Sequence, residues 1–144
     1  MSGAGRDWAR EFNTRIAGTM IASHETRFVE VSPERAVLEL DFKPNLSQMT
    51  GVFHAGAIIG LADEACTALA AAHAMGDGDW NPAKFPLTVQ LSANLLRNTN
   101  RGTLRAEAAA IHKGRSTVVV QSTVTDSEGR LIAAVTTTHI VPNS

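Results

Sequence analysis

The stretch from Ala55 to Met75 constrains this chain more than any other. It is rich in alanine and apolar on nearly every side, broken by Asp63, Glu64 and His73. A helix without a polar face has to be covered on most of its surface. The adjacent carboxylates in mid-run argue against lipid as that cover, because ionised groups are costly in hydrocarbon. The run therefore reads as a buried helix over about residues 54–74, stopped by Gly76-Asp77-Gly78-Asp79.

The flanking sequence supplies the cover. Trp8, Phe12 and Ile16 recur every four residues, which predicts a short amphipathic helix over about 7–17, capped by Asp7 and ended by Gly18. Phe28-Val29-Glu30-Val31, the turn Ser32-Pro33-Glu34 and the alternating run Ala36 to Phe42 read as a hairpin. A loop lasts from Lys43 to about Phe53. After the central helix comes a flexible connection carrying Trp80, Pro82 and Pro86, and then four strand-like runs: Leu87–Leu96, Thr103–His112, Ser116–Asp126 and Leu131–Val141. Turns at Lys113-Gly114 and Ser127-Glu128-Gly129 suggest successive antiparallel strands. The expectation is one α+β domain spanning 1–144, with a curved antiparallel sheet wrapped around one long helix and a second copy covering what remains.

Composition narrows the function. Thirteen basic against fourteen acidic residues give no field for nucleic acid or an anionic membrane. The single cysteine, Cys66, excludes an intrachain disulfide and suits a reducing, cytoplasmic setting. One Cys and five scattered His predict no metal site, and His24, His73, His112 and His139 share no spacing that suggests a catalytic dyad. Residues 1–7 lack the apolar core of a signal peptide.

The pair Asp63-Glu64 is where chemistry is expected. Asp has poor helix propensity, and a buried carboxylate needs a partner. Asp63 follows His54 by nine residues, and His54-Ala55-Gly56 would open the helix. Backbone N–H groups in a first turn lack intrahelical acceptors and sit at the positive end of the dipole. Glu64 lies about 100° further round the helix, so it is not expected to share the Asp63 site.

These residues resemble the hotdog-fold acyl-CoA thioesterases, particularly the phenylacetate-degradation type, over roughly Pro44 to Val141. The family pattern is an amide residue, Gly-x-x-His-Gly-Gly, and Leu-Ala-Asp about nine residues after the His. It is matched by Gln48, Gly51, His54-Ala55-Gly56 and Leu61-Ala62-Asp63. A Ser or Thr opening the next strand is matched by Thr88, an Arg closing it by Arg97, and a Lys/Gly/Arg turn by Lys113-Gly114-Arg115. Two positions depart: Ala55 stands where the family has Gly, and Asn98 where it has Pro after the Arg.

The resemblance implies a hotdog fold and hydrolysis of an acyl-CoA thioester to free acid and CoA, with no cofactor beyond the CoA of the substrate. Asp63 would be general base or nucleophile. The Ala55 or Gly56 N–H would form the oxyanion hole, with His54 orienting the carbonyl or capping the helix. Gln48 would hold the water or carbonyl, and Thr88 would hydrogen-bond Asp63. Arg97, Arg101, Lys113 and Arg115, with the turn residue Gly114, are the candidates for the CoA phosphates. Nine helical residues span about 13 Å, so one subunit's Asp63 cannot reach its own helix start. A homodimer with shared sites follows, and the resemblance extends it to a homotetramer.

No Tyr, two Trp and five Phe offer no evident stacking site for an acyl group, which leaves medium-chain and aryl-acetyl thioesters open. Met20, Met49 and Met75 could line an acyl pocket or fill gaps. The alternatives are a hotdog dehydratase or hydratase using His54 as base, and a non-catalytic acyl-CoA-binding protein.

Overall fold

A computed structural model describes residues 6–142; residues 1–5, the greater part of the segment read as lacking a signal peptide, lie outside it. The elements are α1 (Trp8–Arg15), α2 (Met20–His24), β1 (Arg27–Val31), β2 (Arg35–Asp41), α3 (Ala55–Met75), β3 (Leu87–Leu95), β4 (Thr103–Lys113), β5 (Thr117–Thr125) and β6 (Leu131–Ile140). All six strands form one antiparallel sheet in the order β1-β2-β4-β5-β6-β3.

The sheet buries α3 as its composition requires. Ile58, Leu61 and Leu69 are almost inaccessible, as are Ala62, Ala65, Cys66 and Ala70–Ala72. Each large aliphatic among them stabilises the fold by about 2 kcal/mol. Leu38, Leu40, Leu104, Val118, Val120, Val124 and Ile132 meet the helix from the strands. By length and composition α3 could cross a membrane, but most of it is buried inside the protein. One stripe stays uncovered: Gly56, Gly60, Asp63 and Thr67, spaced by three or four, are exposed or half-buried.

The two edges of the sheet differ. Strand β1 is sealed by α1: the Asn13 side chain donates to the Phe28 carbonyl (2.9 Å) and accepts from the Phe28 N–H (3.1 Å), as a neighbouring strand would. Strand β3 pairs only with β6, and Leu87, Val89, Leu95 and Leu96 beside its open edge are exposed.

Three sequence expectations need correction. The last four strands are not successive neighbours, because β3 crosses to the far edge while β4 pairs with β2. No tight turn joins β3 to β4. The link passes the start of α3 instead, where Asn98 Nδ2 donates to the Phe53 carbonyl (2.8 Å) and the Phe53 N–H donates to Thr99 O (3.1 Å). Second, α2 was not foreseen; the Thr19 hydroxyl caps it, and it closes through Glu25 at φ 61°. Third, the connection after α3 is built rather than loose. Asn81 caps a 3-10 turn at Pro82–Lys84, and Trp80 packs edge-on against Phe12 at 6.0 Å.

Candidate active site

The uncovered stripe of α3 floors a cleft of about 670 Å³ in the gap between the two sheet edges. Phe28 of β1 lies on one side, Leu87 and Thr88 of β3 on the other, with α1, α2 and the 80–86 segment forming the walls. Gly60, Asp63, Glu64, Thr67 and Ala68 come from the helix. A Cβ at Gly60 would stand 3.8 Å from the Met20 terminal methyl, in ordinary contact, so the lack of a side chain there keeps the cleft open. Met20 lines the cleft, whereas Met49 is fully exposed and Met75 is core.

The expectation of no aromatic site is overturned. Phe12, Phe28, Trp80 and Phe85, four of the chain's seven aromatic residues, line this cleft. Phe12 and Phe28 meet edge to face at 5.4 Å, and Trp80 tilts against Phe85 at 5.9 Å. They come from three separate segments, so a sparse composition still makes a concentrated surface.

Asp63 and Glu64 line the same cleft but face its opposite sides. Thr88 Oγ1, on the open edge, donates to Asp63 Oδ1 at 2.7 Å. The Asp63 side chain is 33% exposed, and its second oxygen accepts no hydrogen bond among the described residues. Glu64 turns toward Thr26, just before β1 on the sealed side, and both of its carboxylate oxygens are buried without a partner. Burial, with the Asp63 charge adding to it, pushes the Glu64 carboxyl up to about 7, while the Thr26 hydroxyl opposes this. The two acids therefore divide as the helix rotation implies, with Glu64 on another side of the same cleft. Burial also pushes the Cys66 thiol up to about 12, which makes it an inert core residue.

At the helix start, His54 is the N-cap, and its Nδ1 accepts the Gly56 N–H at 2.8 Å. A Cβ on Gly56 would sit 3.0 Å from that nitrogen, so glycine is what lets the cap close. The Ala57 and Ile58 N–H groups bond the His54 carbonyl. Of the two expected oxyanion donors, Gly56 is thus engaged, while the Ala55 N–H donates to no protein atom among the described residues. The Gln48 carboxamide oxygen accepts from the Thr50 N–H and, at 2.7 Å, from the Thr50 hydroxyl, leaving its NH₂ free. Asn98, in place of proline, ties the crossing link to Phe53 immediately before the cap.

The basic candidates do not converge within one chain. Arg97 and Arg101 lie at the end of the sheet nearest His54, whereas Lys113-Gly114-Arg115 lie at the far end of β4, where His73 meets the Gly114 carbonyl at 3.0 Å. Eleven residues of strand separate the groups by about 35 Å. Lys113 pairs with Glu34 (3.0 Å) and Arg101 with Glu128 (3.5 Å), while Arg97 and Arg115 make no ion pair among the described residues. Gly114 is needed sterically, since a Cβ would fall 2.8 Å from Thr117 O.

One residue of this region was missed. His139, on β6, is completely buried with Nε2 4.0 Å from Asp63 Oδ1. It lies 76 positions from Asp63, and only sheet register brings the two together.

A long helix wrapped by an antiparallel sheet of this order, with an acid on the helix and a free N–H at its start, defines a hotdog fold of the thioesterase kind. The sequence model of the thioesterase superfamily matches residues 50–133, and the chain belongs to that superfamily. It is 30% identical over 104 residues to the 1,4-dihydroxy-2-naphthoyl-CoA hydrolase of Listeria monocytogenes, covering 72% of this chain and 80% of that protein. Among solved structures it is similar to thioesterase HI1161 of Haemophilus influenzae, with a TM-score of 0.82, 19% identity and coverage of 94% and 90% of the two chains. The PaaI protein of the Escherichia coli phenylacetic acid degradation operon gives a TM-score of 0.80 at 15% identity, covering 96% and 94%. Both structural likenesses bear on the fold.

Proposed function

We propose that this protein hydrolyses acyl-CoA thioesters as a homodimer, with Asp63 of one subunit acting on a carbonyl whose oxygen sits at the start of the other subunit's α3. The observation that carries this is the Asp63 carboxylate, held through one oxygen by Thr88 and free at the other in an aromatic-lined cleft. Both Glu64 oxygens are buried, whereas Asp63 presents a free oxygen to the cleft, and this makes Asp63 the acid that can reach a water.

In this reading Asp63 takes a proton from water, and the resulting hydroxide adds to the thioester carbon. The negative oxygen is met by the Ala55 N–H and the positive helix terminus, with the Gln48 NH₂ near it. Collapse breaks the carbon–sulfur bond, and the CoA thiolate recovers the proton from Asp63. The acid and free CoA leave. The cleft suits an aryl or medium-chain acyl group. Unpaired Arg97, at the His54 end of the sheet, is the favoured contact for a CoA phosphate, with Arg115 the second candidate.

The open edge supports the dimer. Pairing β3 with its copy would satisfy an unpaired strand and cover Leu87, Val89, Leu95 and Leu96. The separation of about 13 Å between His54 and Asp63 along one helix points the same way. A homotetramer of such dimers and a cytoplasmic location remain part of the proposal. The dehydratase reading is disfavoured because the one acceptor nitrogen of a neutral His54 ring is Nδ1 here, and it is engaged by the Gly56 N–H in capping α3.

The test is thiol release from a panel of aryl and straight-chain acyl-CoAs. Asp63→Ala is expected to lose about 10²–10⁴-fold in kcat, while Glu64→Gln retains activity. No cleavage of any thioester by the wild type would sink the enzyme reading. An inactive Glu64→Gln beside an active Asp63→Ala would move the chemistry to Glu64.

A further inference from the structure

Behind Asp63 lies a small polar cluster in an otherwise apolar interface between α3 and the sheet. His139 and Thr88 are cross-strand partners in the β3–β6 ladder. Asp63 and Thr67 are four residues apart on α3 and so share a face. His139 Nε2 lies 3.0 Å from Thr67 Oγ1 and 4.0 Å from Asp63 Oδ1, the same oxygen that accepts the Thr88 hydroxyl. Its other nitrogen, Nδ1, is 3.4 Å from Thr137 Oγ1. The side chain is wholly enclosed.

Burial lowers the pKa of His139 against the opposing pull of Asp63, so the imidazole is neutral at neutral pH and carries one N–H. With the Thr137 hydroxyl taken as the donor to Nδ1, the proton is on Nε2. That N–H then faces Thr67 Oγ1 and the Asp63 carboxylate. At 4.0 Å the contact with Asp63 is not a direct hydrogen bond. It acts through the electrostatic pull of the N–H dipole, which is strong where water is excluded, while the Thr67 hydroxyl at 3.0 Å fixes the ring. An aliphatic side chain would pack at this core position at less cost than an imidazole, unless the imidazole serves the carboxylate.

We infer that His139 is a positioning residue for the thioesterase reaction: its ring oriented by Thr67, it joins Thr88 in holding Asp63 Oδ1 on the protein side, so that the second oxygen faces the cleft. This rests on the reading of Asp63 as the acting acid. His139 touches no substrate in this arrangement and acts only by fixing the carboxylate.

The experiment is steady-state hydrolysis of the best acyl-CoA from the panel by wild type, His139→Leu and His139→Gln, with melting temperatures measured on the same preparations. His139→Leu is expected to lower kcat roughly 10- to 100-fold while KM stays within about threefold, because only the placement of the reacting group is disturbed. His139→Gln keeps an N–H donor and is expected to recover kcat to within about threefold of wild type. Should His139→Leu fail to fold, Thr67→Val against Thr67→Ser decides the matter: Val lowers kcat and Ser, which keeps the hydroxyl, restores it.

Wild-type kcat in the folded Leu variant overturns the inference, as do Leu and Gln variants that are equally impaired, or a Thr67→Ser no better than Thr67→Val. In each of those cases the thioesterase reading stands on the wild-type turnover. A wild type that cleaves nothing overturns both.

Discussion

The two edges of the sheet use opposite solutions to the same problem. An edge strand leaves backbone donors and acceptors unpaired. At β1 the chain closes the edge itself: Asn13 supplies one donor and one acceptor to Phe28, and Arg27, Arg35 and Arg105 interleave with Glu30, Glu39, Asp41 and Glu107 across β1, β2 and β4. At β3 no described residue closes it, and Leu87, Val89, Leu95 and Leu96 stand exposed. The adjacent acids follow the same division. Asp63 faces the open edge through Thr88, and Glu64 faces the sealed edge beside Thr26. The difference teaches that one side is completed by the chain's own contacts, while the other leaves the edge that the proposed dimer would use.

Several changes would break or sharpen that contrast. The largest effect is expected from a charge on the open edge. Val89→Glu or Leu95→Glu would place like charges twice across a two-fold ladder, giving a folded monomer by sedimentation and a loss of activity on the order of 10²-fold or more. A dimer of full activity after both changes would remove β3 as the interface.

Next comes Glu64. Between pH 4.5 and about 7 the folded state keeps a proton that the unfolded state has released. The stability it contributes is therefore complete at low pH, is lost as pH rises to about 7, and is flat above that. The change is on the order of 3 kcal/mol. Glu64→Gln should consequently melt higher than wild type at pH 8 and near wild type at pH 4.5. Thermal denaturation across that range tests it, and parallel wild-type and variant curves would contradict it.

Asn13→Ala should cost about 2 kcal/mol through the two lost hydrogen bonds to Phe28, read as a lower denaturant midpoint with kcat unchanged. The smallest effect belongs to the ion pairs. Arg35→Gln removes contacts to Glu30 and Glu107 that are more than 40% exposed, and each is worth less than about 1 kcal/mol.

Local pattern carried much of this into view from the sequence. The apolar run foretold α3 and its need for cover, alternation and turn residues foretold the six strands, spacing from His54 singled out Asp63, and the family resemblance set Thr88 beside it. What was not legible depends on contacts between distant segments. The crossing of β3 is set by Asn98 and Thr99 meeting Phe53. The aromatic wall joins Phe12 of α1, Phe28 of β1, and Trp80 and Phe85 of the connection after α3. His139 reaches Asp63 only through the β3–β6 register, and nothing around it in the sequence marks it. The Asn13 seal is equally hidden, since an amide on a short helix has no pattern that announces a strand partner.

The central claim is a site divided between two copies of the chain. It is tested most directly by co-expressing Asp63→Ala and His54→Ala subunits under separate tags, isolating the mixed dimer and measuring thiol release. Asp63→Ala alone should be nearly inactive, and His54→Ala strongly impaired because it loses the cap that orders the α3 start around the Ala55 N–H. If the site is shared, the mixed dimer holds one intact site of two and recovers about half the wild-type rate. Mixed dimers as inactive as either parent would contradict the division and return both groups to a single subunit.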